Sequence, residues 1–258
     1  MERAATAIVT GGGKRVGAVI VAGLLSDGWQ VAAHVHHDGD SVPEGATRIV
    51  ADLADANCAR RIFDGCDGLP PVRLLINNAA RFAPDGWGDA SAAEFDAHMA
   101  VNARAPMLLI DELARRHQDG DAGLNEGGAL IVNISDAKLA APNADFLSYT
   151  LSKYALAGLT EVAARALAPR GIRVNAIAPA MMLPSGAQDA ANFAGMHAHN
   201  PLRRGVEPDD VVAAIRFLID SPSTTGQTLT IDGGQRFWSL PRDVQFLSPS
   251  GDGQFPEI

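Results

Sequence analysis

Short runs of β-branched and aliphatic residues alternate along this chain with longer stretches in which apolar positions recur at helical spacing. Runs around residues 5–10, 30–35, 46–51, 73–77, 129–135, 173–178 and 227–231 read as strands, and the segments between them read as helices. Strands separated by helical crossovers predict a parallel sheet of about seven strands with helices on both faces. With 258 residues, 47% of them hydrophobic, the chain can bury one large α/β core. Neither a linker nor an internal repeat divides it, so residues 1–258 read as one domain. The longest polar interruption, QDGDAGLNEGG at 118–128, reads as a surface loop.

The first strand runs through three glycines into a helical pattern, ATAIVTGGGKRVGAVIVAGLLSDG. Glycine permits a sharp turn and close approach to a ligand, and the first turn of a helix offers unpaired N–H groups and a positive dipole end to a phosphate. A dinucleotide pyrophosphate suits such a turn, although the spacing is not G-x-G-x-x-G and a strand–turn–helix of this kind also occurs without a ligand.

Tyr149 and Lys153 stand four apart in the helical stretch LSYTLSKYALAGLTEVAARAL, on one face. An ammonium close to a phenol favours the phenolate and brings proton donation within reach at neutral pH, so the pair predicts a general acid with Lys153 lowering the phenol's pKa. A chance Tyr-x-x-x-Lys on a surface helix is the competing explanation. What precedes the pair decides between them.

In chain order stand TGGGKRVG at 10–17, Asp52-Leu53 after the third strand, Asn77-Asn78-Ala79-Ala80 after the fourth, then Asn102, Asp136, Tyr149, Lys153 and RVNAIAP at 173–179. This series resembles the short-chain dehydrogenase/reductase superfamily over about residues 5 to 235. The resemblance implies a Rossmann-type, doubly wound sheet and a nicotinamide cofactor held by Gly11, Lys14, Arg15, Val16, Gly17, Asp52, Leu53, Asn78, Ala79, Ser135, Tyr149, Lys153 and Pro179. It makes Asn102, Tyr149 and Lys153 catalytic, Asn102 supporting a proton-conducting water, and expects a serine thirteen positions before the tyrosine. That position holds Asp136. Ser135 precedes it, but neighbours on a strand point to opposite faces, so Ser135 does not simply replace the missing hydroxyl.

An ionised aspartate only accepts hydrogen bonds and would repel a developing alkoxide, which disfavours a ketone substrate. A nitrogen heterocycle reduced at a C=N bond suits an acceptor that orients the phenol or a water, and a pterin meets that description. Two further features are similar to pteridine reductases and dihydromonapterin reductases. Arg15 follows Lys14 where most of the superfamily has glycine, and Phe82 follows Asn78 by four, where those enzymes place the ring that stacks the pterin. Phe82, Asp136 and Tyr149 are thus the expected substrate contacts; core packing is the alternative for Phe82.

Cofactor preference is read at the end of the second strand, VAAHVHHDGD, where NAD-preferring proteins carry an acidic residue against the ribose. Val35 occupies that place. His36 and His37, with Arg15, could surround a 2′-phosphate, which favours NADPH, while Asp38 opposes it. A metal site built from His34, His36 and His37 lacks a supporting ligand set, and none is expected.

A net charge of −9 argues against nucleic acid or an anionic membrane as partner. Cys58 and Cys66 form neither a CxxC nor a disulfide framework, the chain enters its first strand at once, and no apolar run reaches membrane-spanning length, so a cytoplasmic location is expected. Residues of about 180–206, rich in Met, Phe and small side chains, read as a lid over the substrate; those of about 239–258, rich in Pro, Gly and Ser, read as a tail that is disordered or drapes over a neighbouring subunit. Family resemblance implies a homotetramer. The expected activity is NADPH-dependent reduction of a 7,8-dihydropterin. Reduction of a carbonyl such as a 3-oxoacyl thioester, with Ser135 recruited, and a nucleotide-binding protein without turnover are the alternatives.

Overall fold

The computed structural model describes residues 5–117, 128–184 and 188–247. Its framework is a seven-stranded, wholly parallel sheet in the order β3-β2-β1-β4-β5-β6-β7. The strands are β1 (Thr6–Val9), β2 (Gln30–Val35), β3 (Thr47–Val50), β4 (Val72–Asn77), β5 (Ala129–Ile134), β6 (Ile172–Pro179) and β7 (Thr228–Ile231). All seven expected strands form, with ends shifted by a residue or so. The 118–127 part of the expected loop lies outside the described residues.

Alternation along the strands sorts the core into two layers. Ile8, Ala32, Leu75, Ile131 and Val174 face one side, where they pack with α2 (Cys58–Asp64), α4 (Ala105–Arg116) and α5 (Leu147–Leu167). Val9, Val31, Ala33, Ile76 and Val132 face the other, against α1 (Arg15–Ser26) and α7 (Pro208–Asp220). Cys58 and Cys66 are separate buried thiols, the latter pushed up to about 11 by burial. Two short helices lie outside these layers, α3 (Ala92–Met99), which runs through a π-turn at Ala100–Arg104 into α4, and α6 (Ala190–His197).

The chain leaves β1 toward β2 on one side and returns on the other as β4. Such a switch in strand order opens a crevice at the carboxyl ends of the strands. Thr10 closes its floor: its Oγ1 accepts from the backbone N–H groups of Asn78 (2.9 Å) and Ala79 (3.0 Å), while Asn78 Nδ2 donates to Thr10 O at 2.9 Å.

The segments read as a lid (about 180–206) and a tail (about 239–258) contain regular structure among the described residues; residues 185–187 lie outside them. Residues after β6 include α6, whose Met196 is fully buried with Leu240 and Leu247. The tail is corrected in part. Through residue 247 it folds back along its own chain, where Arg242 Nε meets both oxygens of Asp145 at 2.9 and 2.8 Å; residues 248–258 lie outside the described ones. Among the described residues no helix is long and apolar enough to cross a membrane.

Candidate active site

The crevice widens into a cleft of about 850 Å³. At one end is the glycine turn. Gly11 has φ +65°, and a Cβ added to Gly17 would lie 2.0 Å from the Gly11 carbonyl oxygen, so both positions require glycine. The backbone thereby forms a cradle at the N-terminus of α1, which suits a dinucleotide phosphate. His34, absent from the expected site, holds this turn: its Nδ1 accepts from Gly11 N–H at 3.2 Å, which leaves Nε2 as the donor to Ala51 O at 2.9 Å. Burial pushes its pKa below 6.5 and keeps the ring neutral, as the Gly11 bond requires. A polar residue inside the apolar run VAAHV was the available signal.

Arg15 has φ +52°, a left-handed conformation that favours glycine, and its Nη2 donates to Pro184 O at 2.9 Å, tying the turn to the segment after β6. Lys14, Val16, His36, Asp52, Leu53, Ala79, Ser135 and Pro179 line the same cleft. His37 does not; it stacks on His36 at 4.1 Å and its N–H donates to Asp40 Oδ2 at 3.0 Å. The acidic residues at this wall are Asp40 and Asp52, the latter with Oδ1 3.7 Å from His36 Nε2, whereas the expected Asp38 does not line the cleft. His34 points to Gly11 and Ala51 rather than toward His36, and among the described residues no cluster of His, Cys, Asp and Glu is arranged to hold a metal ion.

At the other end Asp136, Tyr149 and Lys153 meet. Asp136 leaves the tip of β5 and caps the short 3₁₀ turn Ala137–Ala140 through Oδ1, which accepts from Lys138 N–H at 2.8 Å. Its Oδ2 accepts from the Tyr149 hydroxyl at 2.7 Å. Lys153, one turn along α5, donates from Nζ to Ile134 O at 2.7 Å and lies 5.6 Å from the centre of the Tyr149 ring.

The electrostatics reverse one expectation. Lys153 does not set the phenol; burial, then the charge and hydrogen bond of Asp136, then the charge of Asp243 hold Tyr149 well above its ordinary value. Burial pushes the Lys153 ammonium down to about 8, with Asp136 opposing that shift. The site thus keeps a neutral phenol with its proton directed at an acceptor, beside an ammonium that titrates close to neutrality.

Asn102 sits in the π-turn with its side chain fully engaged: Oδ1 accepts from Arg81 N–H at 2.7 Å, and Nδ2 donates to Arg81 O and Ser152 Oγ, both at 2.9 Å. It shapes the loop that carries Phe82. Phe82 faces Phe146, with centroids 4.4 Å apart, and meets Tyr149 edge-on at 4.7 Å. Phe146 was not among the expected site residues. It holds a left-handed conformation, φ +54°, at the start of α5, the kind of backbone strain of about 1–3 kcal/mol that packed functional sites retain.

Ser135 lines the cleft with its backbone N–H bonded to Ile177 O at 2.7 Å. Asp136, not Ser135, is the group that contacts the phenol.

A family model described as "Enoyl-(Acyl carrier protein) reductase" matches residues 14–236. The chain is 34% identical to L-xylulose reductase of Bos taurus over 88% of this chain and 95% of that one. It is 30% identical to Pteridine reductase 1 of Leishmania tarentolae over 93% and 98%. Among solved structures, FolM Alternative dihydrofolate reductase 1 from Brucella canis, complexed with NADP, superposes with a TM-score of 0.81 at 35% identity, covering 90% of this chain and 94% of that one. With those matches spanning nearly its whole length, and with a parallel sheet whose crevice joins a glycine turn to a Tyr–Lys pair, the protein belongs to the short-chain dehydrogenase/reductase family of oxidoreductases.

Proposed function

We propose that the protein is an NADPH-dependent reductase of a pterin, taking a 7,8-dihydropterin to the tetrahydro form. The observation that carries this reading is the Asp136–Tyr149 hydrogen bond, which puts an obligate acceptor where carbonyl reduction calls for a hydroxyl. Pteridine Reductase 1 and the FolM structure among the relatives support it. L-xylulose reductase among them favours carbonyl reduction as the second reading. An NADPH oxidation assay with dihydrobiopterin, dihydromonapterin, dihydrofolate and an acetoacetyl thioester separates the two. Turnover of the thioester alone would reject the pterin reading, and turnover of none would favour a nucleotide-binding protein.

The residues fit the cofactor. The Gly11–Gly17 cradle, the N-terminus of α1 and the cations of Lys14 and Arg15 suit its phosphates, His36 its 2′-phosphate and Lys153 its ribose. When bound, the nicotinamide supplies a hydride to the substrate. Tyr149 holds the proton at Oη, Asp136 orients that hydroxyl, and Phe82, which lines the cleft, offers aromatic surface against which a flat heterocycle packs. Asn102, with its side chain spent on Arg81 and Ser152, acts by holding the Phe82 loop. The family's homotetramer is the assembly we expect; exposed Met107 on α4 and Leu151, Tyr154 and Val162 on α5 offer apolar surface for it.

NADPH should bind more tightly than NADH in isothermal titration; equal or better NADH affinity would show that the carboxylates of Asp40 and Asp52 govern the pocket instead. Arg15→Gly should weaken NADPH by about 1–3 kcal/mol, the scale of a charge-assisted phosphate contact. The same change should leave unfolding free energy unchanged or higher, because release of a left-handed arginine, about 1–2 kcal/mol, offsets the lost exposed bond to Pro184. A variant destabilised by more than about 1 kcal/mol would contradict that reading of Arg15.

The pH dependence follows from Lys153. Its ammonium persists below about 8 and is lost above it, so kcat/KM should fall as pH rises through that value, with Tyr149 still protonated. Lys153→Arg, which stays charged, should lose the alkaline limb even if its turnover is lower; an unchanged limb would assign it to another group.

A further inference from the structure

Beyond β7 the chain turns back over the cleft and delivers a second carboxylate to it. Arg242 and Asp243 both anchor on Asp145, the latter through its backbone N–H at 2.7 Å, and the Phe246 ring stacks on Phe146 at 5.9 Å. These contacts fix the backbone of Asp243 and leave its side chain 15% exposed on the cleft wall. Oδ1 accepts from Gln245 N–H at 3.2 Å. Oδ2 pairs with Lys138 Nζ at 3.7 Å and, with two lone pairs, retains capacity to accept a further donor.

We propose that Asp243 is a specificity-determining residue of the substrate pocket, whose Oδ2 accepts from an amidine-type edge of a heterocycle, an N–H beside an exocyclic amino group. Asp136 already accepts from Tyr149 and from the Lys138 backbone N–H, so a second carboxylate adds acceptors for a further set of donors. A buried N–H edge left without an acceptor costs about 1–3 kcal/mol, which is enough to discriminate between ligands. Asp136 and Asp243 line the same cleft, so the two carboxylates border one space. Lys138 partly balances the added charge, so the edge recognised is that of a neutral, donor-rich ring rather than a cation, and anionic substrates are disfavoured. This assignment rests on the pterin reading and adds a second contact to it.

The test uses the full chain saturated with NADP⁺ and the intrinsic fluorescence of two ligands, pterin and pteridin-4-one, the latter lacking the 2-amino donor. Wild type should bind pterin at least about tenfold more tightly, matching the loss of one such contact. Asp243→Asn keeps a good cap for Gln245 but removes the charge, and Asp243→Ala removes the acceptor. Both should compress the pterin preference, Asp243→Ala to less than about threefold, and should raise KM for the dihydropterin more than they lower kcat. NADP⁺ affinity within about twofold of wild type certifies the fold, and if the alanine variant fails it the asparagine variant decides. An unchanged pterin preference in folded variants overturns the role of Asp243 while leaving the pterin reading intact. Wild type that binds neither pteridine removes the pterin reading and the assignment together.

Discussion

Tyr149→Phe should reduce kcat by about 10²–10⁴-fold, the usual contribution of a positioned general acid, and leave NADPH affinity nearly intact. The hydroxyl's hydrogen bond within the protein goes to Asp136, so the change removes the proton donor while the Lys14, Arg15 and Lys153 cations assigned to the cofactor remain. The ring remains packed edge-on to Phe82, which limits structural damage. Lys153→Ala should differ by impairing both turnover and NADPH binding, because its ammonium is assigned to the ribose as well as to the Tyr149 surroundings. Single-turnover kinetics and cofactor titration on the two variants separate these effects. A loss below tenfold for Tyr149→Phe would mean that water or another group supplies the proton.

The glycine-turn end of the candidate site was legible because its determinants are contiguous. A strand, a glycine turn and a helix start within residues 5–17, and the alternation of apolar runs marked all seven strands and their parallel pairing, while their order in the sheet came from the structure. The proximity of Tyr149 to Asp136 was implied only by the family resemblance, and the 2.7 Å hydrogen bond agrees with it. Its electrostatics did not follow. Four-residue spacing places an ammonium near a phenol, but how deeply both are buried depends on what packs over them, and desolvation is the leading cause of both shifts. Asp243 and Phe246 were hidden for another reason: a Pro-, Gly- and Ser-rich segment carries no periodicity from which a return to the cleft could be read. Thr10 and His34 act through hydrogen bonds to backbone groups distant in sequence, for which a lone polar residue in an apolar run is the only local sign.

Asp136→Ser should move activity between substrate classes. The serine restores a donor able to support a developing alkoxide, while the phenol loses a charged acceptor that raises its pKa and fixes its direction. Pterin reduction should fall and ketone reduction should rise. Asp136→Asn keeps the shape and the Lys138 cap but replaces one acceptor oxygen with a donor and removes the charge, so pterin turnover should fall there too, without the gain on ketones. The contrast isolates charge from shape. The most direct measurement is kcat/KM for a dihydropterin and for a ketone on wild type and Asp136→Ser. The account predicts that wild type favours the dihydropterin and that the ratio shifts toward the ketone by about tenfold or more in the variant, the effect of one hydrogen-bonding group in a buried site. A wild type that reduces ketones well and pterins not at all, or a variant with pterin reduction unchanged, would contradict it.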